Sequence, residues 1–145
     1  MKKSAFILAF AVLAVFLNAE FVSADPEGWM NDTRLTFNPA YSMYPSLSTD
    51  PNGNVHVAWD DDRNGNRRVY YKKLSNNGVN LTPEIMLTFD PTYSASPSLS
   101  TDQNGNVHIA WEDWRDGNLE IYYKKLSTNG APLTPDLRLT FDGYS

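Results

Sequence analysis

The sequence contains no cysteine and only two histidines among its 145 residues. Without cysteine, neither disulfide bonds nor thiolate metal sites can stabilise the fold, so packing and strand pairing must do so. Basic residues are also scarce, since 12 Lys and Arg stand against 17 Asp and Glu and give a net charge of −5. This acidic balance argues against nucleic acid as a partner, because nucleic-acid binding needs a basic face.

Only one long apolar run is present, at residues 5–17, and it is shorter than a membrane-spanning helix requires. Lys2 and Lys3 precede this run, and the small residues of Val22-Ser23-Ala24 follow it. This order is typical of a secretory signal peptide, with a retained membrane anchor as the alternative. We predict that residues 1–24 are removed and that residues 25–145 are secreted, extracellular or periplasmic, with no stable membrane insertion.

A 52-residue period dominates the rest of the sequence. Residues 45–89 align without gaps on residues 97–141, and 14 of the 45 aligned positions differ, which leaves 31 identical. Several of these differences are conservative, such as Val57 in the first copy and Ile109 in the second. Repeats of about this length build stacked units that each bury a face of the neighbouring unit.

Each copy predicts four short strands separated by turns. In the first copy the strands are expected at residues 46–48, 55–59, 69–74 and 85–89. Asn-Gly pairs between these segments favour tight hairpin turns. Strands of this length leave no room for helices, so the sequence predicts an all-β fold of four-stranded antiparallel units. Stacked propeller blades and a β-sandwich of two such units are the two architectures that fit.

The order of short motifs in the repeat resembles that of TolB-like β-propeller blades. The motifs of the second copy that carry this resemblance are Ser100-Thr101-Asp102, Asn104-Gly105-Asn106, Ile109-Ala110-Trp111, Arg115-Asp116-Gly117-Asn118, Glu120-Ile121-Tyr122 and Leu139-Thr140. The units are also similar to the sialidase-like, or Asp-box, propellers of secreted proteins. The resemblance implies a propeller fold in which each repeat is one blade. It implies less about function, because such blades serve many roles.

The number of predicted strands exceeds two blades by one. Residues 34–37 match the fourth-strand pattern of residues 86–89 and 138–141, each ending in Leu-Thr-Phe. We therefore expect a partial propeller with one extra N-terminal strand (34–37) and two complete blades (45–89 and 97–141). Two units cannot cover both outer faces of the stack. The chain is expected to be part of a longer propeller or to assemble as a homotrimer with six blades.

Sequence motifs of common enzymes are missing. The chain has no Gly-x-Ser-x-Gly elbow, no phosphate-binding loop and no His-Glu-x-x-His sequence. His56 and His108 occupy equivalent positions in the two copies, which favours a packing role over a catalytic pair. A sialidase-like site would need converging arginines and a tyrosine nucleophile, and the recurrence of Arg63 as Arg115 favours a structural role. We expect a chain that is not an enzyme.

One turn carries a weak calcium signature. Asp60, Asp62 and Asn64 place oxygen ligands at alternate positions ahead of Gly65, as in the opening of a calcium loop. The second copy has Trp114 in place of the central ligand, and Tyr71 stands where the closing glutamate is expected. An ordinary turn is the preferred interpretation, so no cofactor is predicted apart from this calcium candidate.

Trp114 is the clearest departure from the repeat. Its counterpart is Asp62, and it lies in a polar turn beside Arg115. Exposed aromatic side chains of this kind bind sugars or protein partners. We therefore expect Trp114, Arg115 and Arg63 to be ligand-binding residues on a non-catalytic interaction scaffold, with a protein or carbohydrate ligand. A fragment of a sialidase-like glycoside hydrolase and a self-assembling propeller lectin are the alternatives.

Overall fold

The computed structural model describes residues 32–141, so the predicted signal peptide lies outside the described residues. Within this range the chain forms eight β-strands and no helix, which confirms the all-β class. It follows that no described helix could cross a membrane. The strands are β1 (Ser42–Thr49), β2 (Val55–Asp61), β3 (Arg68–Leu74), β4 (Ile85–Met86), β5 (Ser94–Thr101), β6 (Val107–Asp113), β7 (Glu120–Leu126) and β8 (Leu137–Arg138).

The strands form two antiparallel sheets of four, which repeat each other strand by strand. Sheet 1 has the order β1-β2-β3-β4 and sheet 2 the order β5-β6-β7-β8. Their registers are equivalent, since Trp59 pairs with Tyr70 in sheet 1 and Trp111 pairs with Tyr122 in sheet 2. The 52-residue sequence period is therefore also the structural period.

The turn between the first two strands shows why the sequence folds locally as predicted. One carboxylate oxygen of Asp50 accepts the backbone N–H groups of Asn52 and Asn54, each at 2.9 Å. Gly53 has a φ of 79°, a conformation that glycine adopts without the steric cost of a side chain. Asp102 makes the same two bonds in sheet 2.

The first strand of each sheet is longer than the sequence predicted. β1 and β5 begin at Ser42 and Ser94, several residues before the expected start. Each contains a β-bulge, at which Tyr44 and Ser96 have φ values of 51° and 52°. Proline follows each of these residues. A bulge tolerates proline within a strand because the ladder bond that proline cannot donate is interrupted there.

Each sheet has two faces of different composition, which we call front and back. On the front of sheet 1 lie Val57, Trp59, Tyr70 and Leu74, and on its back lie alternate residues such as Ala58 and Tyr71. The back of sheet 1 packs against the front of sheet 2. The core between them consists of Ala58, Val69, Tyr71, Leu87, Leu99, Val107, Ile109, Trp111, Tyr122 and Leu126.

Two predicted strands differ in the structure. The fourth strand is only two residues long, at Ile85–Met86, although the N–H of Leu87 still donates to the Val69 carbonyl at 2.8 Å. Residues 34–37, predicted as an extra strand, form no strand in the described chain. Among the described residues, this segment is not paired with any strand. Instead Leu35 packs on the front of sheet 1, and its carbonyl accepts a bond from Lys72 Nζ at 3.2 Å.

Candidate functional site

Arg63 and Arg115 hold equivalent turns in place within their own sheets. Arg63 donates from Nε and Nη2 to the two oxygens of Asp61, both at 2.8 Å, and from Nη1 to Glu84 at 2.5 Å. Its guanidinium lies 4.3 Å from the ring centroid of Tyr70. The β2–β3 turn is thereby fixed to the start of the fourth strand. Such bidentate pairs are the strong form of charge-assisted hydrogen bond.

Arg115 repeats this arrangement in sheet 2. It binds both oxygens of Asp113, at 2.9 and 2.7 Å, and reaches Asp136 at 2.9 Å. Burial alone would raise the pKa of Asp113, but the bonds from Arg115 and from the Trp111 indole hold it below its ordinary value. The carboxylate therefore stays ionised beside its guanidinium. Both arginines are committed to carboxylates of their own sheets, which leaves Trp114 as the exposed member of the predicted binding set.

Trp114 lies at the surface beside the start of β5. Its side chain is 48% exposed, and its backbone N–H donates to the Tyr93 carbonyl at 2.9 Å. In sheet 1 the equivalent Asp62 uses its carboxylate to accept the N–H of Tyr41 at 2.9 Å. The change from aspartate to tryptophan removes this bond and places a large apolar ring at the same rim.

A second set of side chains lies at the junction of the two sheets, where the backbone of Trp114 is bonded to that of Tyr93. The guanidinium of Arg67 lies 5.4 Å from the ring centroid of Tyr44 and 5.7 Å from that of Tyr93. Tyr44 is 56% exposed and Tyr93 is 36% exposed. Stacking of this kind holds aromatic rings at fixed positions. We call Tyr44, Arg67, Tyr93 and Trp114 the rim patch.

Asp60 forms an ion pair with Arg67. It is fully buried, no hydrogen bond to either carboxylate oxygen meets standard geometry, and Nη1 of Arg67 lies 3.3 Å from Oδ2. Burial raises the pKa of Asp60, against the opposing charge of Arg67. In sheet 2 the equivalent residues are Glu112 and Leu119, so this ion pair occurs only at the junction between the sheets.

The rim patch includes Arg67, which lies in one of the two most variable parts of the repeat, the other being residues 78–86. Residues 60–68 differ from residues 112–120 at five positions, whereas the turn at residues 50–54 differs from its counterpart at one. Sequence analysis found Trp114 by this signal but missed Arg67, whose counterpart Leu119 also departs from the repeat. Tyr44 lies one residue before the aligned region, and Tyr93 has a counterpart in Tyr41, so neither was noticed.

The three residues of the calcium candidate have separate partners. Asp60 lies on the back of sheet 1 beside Arg67, and Asp62 accepts the N–H of Tyr41. Asn64 donates to the Tyr70 hydroxyl at 2.7 Å, on the front side. The side chains are therefore not gathered around one point. Within residues 32–141, no group of three His, Asp or Glu side chains is arranged to hold a metal ion.

The two histidines lie on the back faces, at the edge opposite the rim patch. Nδ1 of His56 is 2.7 Å from the Tyr71 hydroxyl, and Nε2 is 3.3 Å from Asp50. Lys73 Nζ lies 3.1 Å from the same carboxylate. His108, Tyr123, Asp102 and Lys125 make the equivalent contacts in sheet 2. These groups link neighbouring strands within each sheet.

The chain is therefore an all-β protein. Its two sheets are copies of one repeat, they stack front to back, and the rim patch lies at their junction. No family model matches the chain, and no curated protein matches it.

Proposed function

We propose that this chain is an exported, non-catalytic scaffold of the β-propeller type that binds a carbohydrate ligand at the rim patch. The observation that carries the proposal is the pair of exposed tyrosine rings, Tyr44 and Tyr93, that stack on Arg67 beside the exposed Trp114, whose backbone N–H is bonded to Tyr93. Flat aromatic faces suit the apolar faces of sugar rings. A protein ligand is the alternative that the same patch allows.

The stacking of the sheets supports the propeller part of the proposal. In a sandwich, two sheets turn the same kind of face toward a shared core. Here the back of sheet 1 meets the front of sheet 2, so the stack has a direction and can continue at both ends. Front-to-back stacking of equivalent units is the relation between neighbouring blades.

The sialidase-like alternative has less support from the site. Such chemistry needs arginine side chains that converge on one substrate carboxylate. Arg63 and Arg115 instead bind Asp61 and Asp113 within their own sheets. Turnover of a fluorogenic sialoside by the purified chain, lost on substitution of a tyrosine, would overturn the non-catalytic proposal.

A glycan array with the wild-type chain and two variants tests the ligand. We expect Trp114→Asp, which introduces the residue of the first repeat, to weaken glycan binding about tenfold, as the loss of one aromatic contact of about 1.4 kcal/mol does. Leu133→Ala is the control, because Leu133 is 54% exposed and lies outside the rim patch. Equal binding by wild type and Trp114→Asp, or no binding by any variant, would contradict the carbohydrate proposal.

A further inference from the structure

We propose that a second copy of this chain docks the front of its sheet 1 onto the back of sheet 2, repeating between chains the contact that joins the two sheets within one chain. The inference rests on the repeated-sheet part of the proposed function and is independent of the ligand at the rim patch. Because the two docking surfaces differ, the association is head-to-tail.

The contact between the sheets within the chain provides the template. Ser46 Oγ accepts the N–H of Leu99 at 2.9 Å, and Thr101 Oγ1 donates to the Thr49 carbonyl at 2.7 Å. Lys73 Nζ donates to the carbonyl and to Oγ1 of Thr128, both at 3.0 Å. These bonds surround the apolar core that the two sheets share.

The back of sheet 2 presents the same groups, and no further sheet covers it among residues 32–141. Ser98 and Ser100, the counterparts of Ser46 and Ser48, are exposed on β5. Lys125, the counterpart of Lys73, is 29% exposed and its Nζ contacts only Asp102 among the described residues. A shallow cavity of about 140 Å³ lies on this face, lined by Ser96, Ser98, Ala110, Trp111, Glu112 and Ile121.

The front of sheet 1 carries the complementary surface, which is exposed at β1 and already buried at the centre of the face. Leu47 is 65% exposed, whereas its counterpart Leu99 is 8% exposed in the core between the sheets. Leu47 is the counterpart of Leu99, so its N–H could donate to Ser98 of a second copy as Leu99 donates to Ser46. Asn76 is the counterpart of Thr128, so its carbonyl could accept from Lys125 as Thr128 accepts from Lys73. A second copy can therefore offer Leu47 to the cavity beside Ala110 and a carbonyl to Lys125.

Docking requires an exchange between two equivalent segments. Lys124 Nζ donates to the Leu87 carbonyl at 2.9 Å, just as Lys72 donates to Leu35 at 3.2 Å. Leu35 thus occupies on sheet 1 the place that Leu87 occupies on sheet 2. In the docked pair that place belongs to Leu139 of the neighbouring copy. Leu139 is 52% exposed, and its N–H is already held by the Ile121 carbonyl at 2.7 Å.

Residues 34–37 therefore act as a cap on the front of sheet 1. They form no strand, whereas the N–H of Leu139 is bonded to its own sheet, so the cap is the segment that leaves. Leu35→Asp should weaken the cap and make self-association begin at a lower protein concentration. Weaker association by this variant would overturn the exchange.

Sedimentation of the purified chain, from micromolar to millimolar concentration, tests the docking itself. We expect a mass above that of the monomer for wild type and for Leu133→Arg, which changes an exposed residue that belongs neither to the apolar clusters nor to the cavity. Leu47→Arg and Ala110→Arg should each remain monomeric, since each blocks one of the two docking faces. Circular dichroism confirms that both variants are folded.

Mixing the two blocked variants gives the decisive result. Leu47→Arg keeps an intact back face and Ala110→Arg keeps an intact front face, so the mixture should form a complex of two chains. A wild-type chain that stays monomeric at millimolar concentration, or a mixture that does not associate, overturns the proposal. Glycan binding by the monomeric variants is measured separately, so failure of docking and failure of the rim patch are distinguishable.

Discussion

Sheet 1 and sheet 2 carry the same polar network on their back faces, but only sheet 1 buries it. His56 is completely buried beneath sheet 2, whereas the side chain of His108 is 32% exposed. Lys73 spans the interface to Thr128, while Lys125 bonds within its own sheet. The sequence at these positions is identical, so the difference in environment comes only from the neighbouring sheet. Each residue in sheet 1 thus has a natural control 52 positions later.

The largest difference in stability between the two sheets is expected at the equivalent alanines of the back faces. Ala58 is fully buried against sheet 2, whereas Ala110 borders the open cavity. Ala58→Arg would force a long, charged side chain into the core, and we expect a loss of about 4 kcal/mol or more, enough to unfold many domains. Urea unfolding followed by tryptophan fluorescence measures the change.

Ala110→Arg is the matched variant and should leave the midpoint of unfolding of the isolated chain close to that of wild type. If Ala58→Arg were as stable as Ala110→Arg, the sheets would not be packed back to front in solution.

The two lysines give the next largest difference. Lys73 is almost fully buried and lies 3.1 Å from the buried carboxylate of Asp50. Lys73→Met leaves that carboxylate without its cation and removes the bonds to Thr128, which should destabilise the fold by about 3 kcal/mol. The free energy of unfolding from urea titration is the measurement.

Lys125→Met should cost only a small part of this, because water solvates the exposed Asp102 when its partner is lost. Equal losses at the two positions would show that burial by sheet 2 does not strengthen the network.

The sequence was sufficient for the second and third strands of each sheet, because alternation and Asn-Gly turns are local signals. It also placed His56 and His108 in equivalent positions. It could not show that Arg63 binds Asp61 and Glu84, since the strands bring Glu84 to the turn across 21 residues. The rest of the rim patch beside Trp114 was missed for a related reason, because Tyr44 and Tyr93 are distant from Arg67 in the sequence and meet it only in the folded chain. The early start of β1 depends on a bulge, which no periodicity reveals.

Two equivalent glycines share a backbone conformation but have different surroundings. Gly78 and Gly130 have φ values of 81° and 80°, so alanine brings the same backbone strain to both. At Gly130 the new Cβ would lie 2.6 Å from Cε1 of Tyr71, on the facing sheet, and at Gly78 it meets nothing within 4 Å. We expect Gly78→Ala to cost about 1 kcal/mol, and Gly130→Ala to cost about 1–2 kcal/mol more because of overpacking.

Thermal or urea unfolding of the two variants isolates the contact, because the strain term cancels in their difference. Identical stabilities would mean that the turn of sheet 2 does not press on Tyr71.

The smallest effect concerns pH and His56. Burial lowers the pKa of His56 below the ordinary value of 6.5, although its bond to Asp50 opposes the shift. The folded state therefore resists protonation, while the unfolded state takes up a proton near pH 6.5. Stability from the neutral imidazole is complete above that pH and decreases as the pH falls below it, until the folded pKa is reached, by at most about 1.4 kcal/mol per pH unit.

His56→Gln should remove this part of the loss of stability between pH 7 and pH 5, and His108→Gln, at the exposed site, serves as the control. The carboxylate beside the imidazole does not obscure this range, because bonds from Asn54 and Lys73 keep the pKa of Asp50 below its ordinary value in spite of burial. Asp60, whose pKa is raised by burial, is present in every variant, so its contribution cancels when the slopes are compared. The free energy of unfolding at pH 7, 6 and 5 gives the slope for each variant. A slope that is unchanged by His56→Gln would mean that protons reach the imidazole in the folded chain as freely as in the unfolded chain. In that case sheet 2 would not protect the network around His56 from protonation.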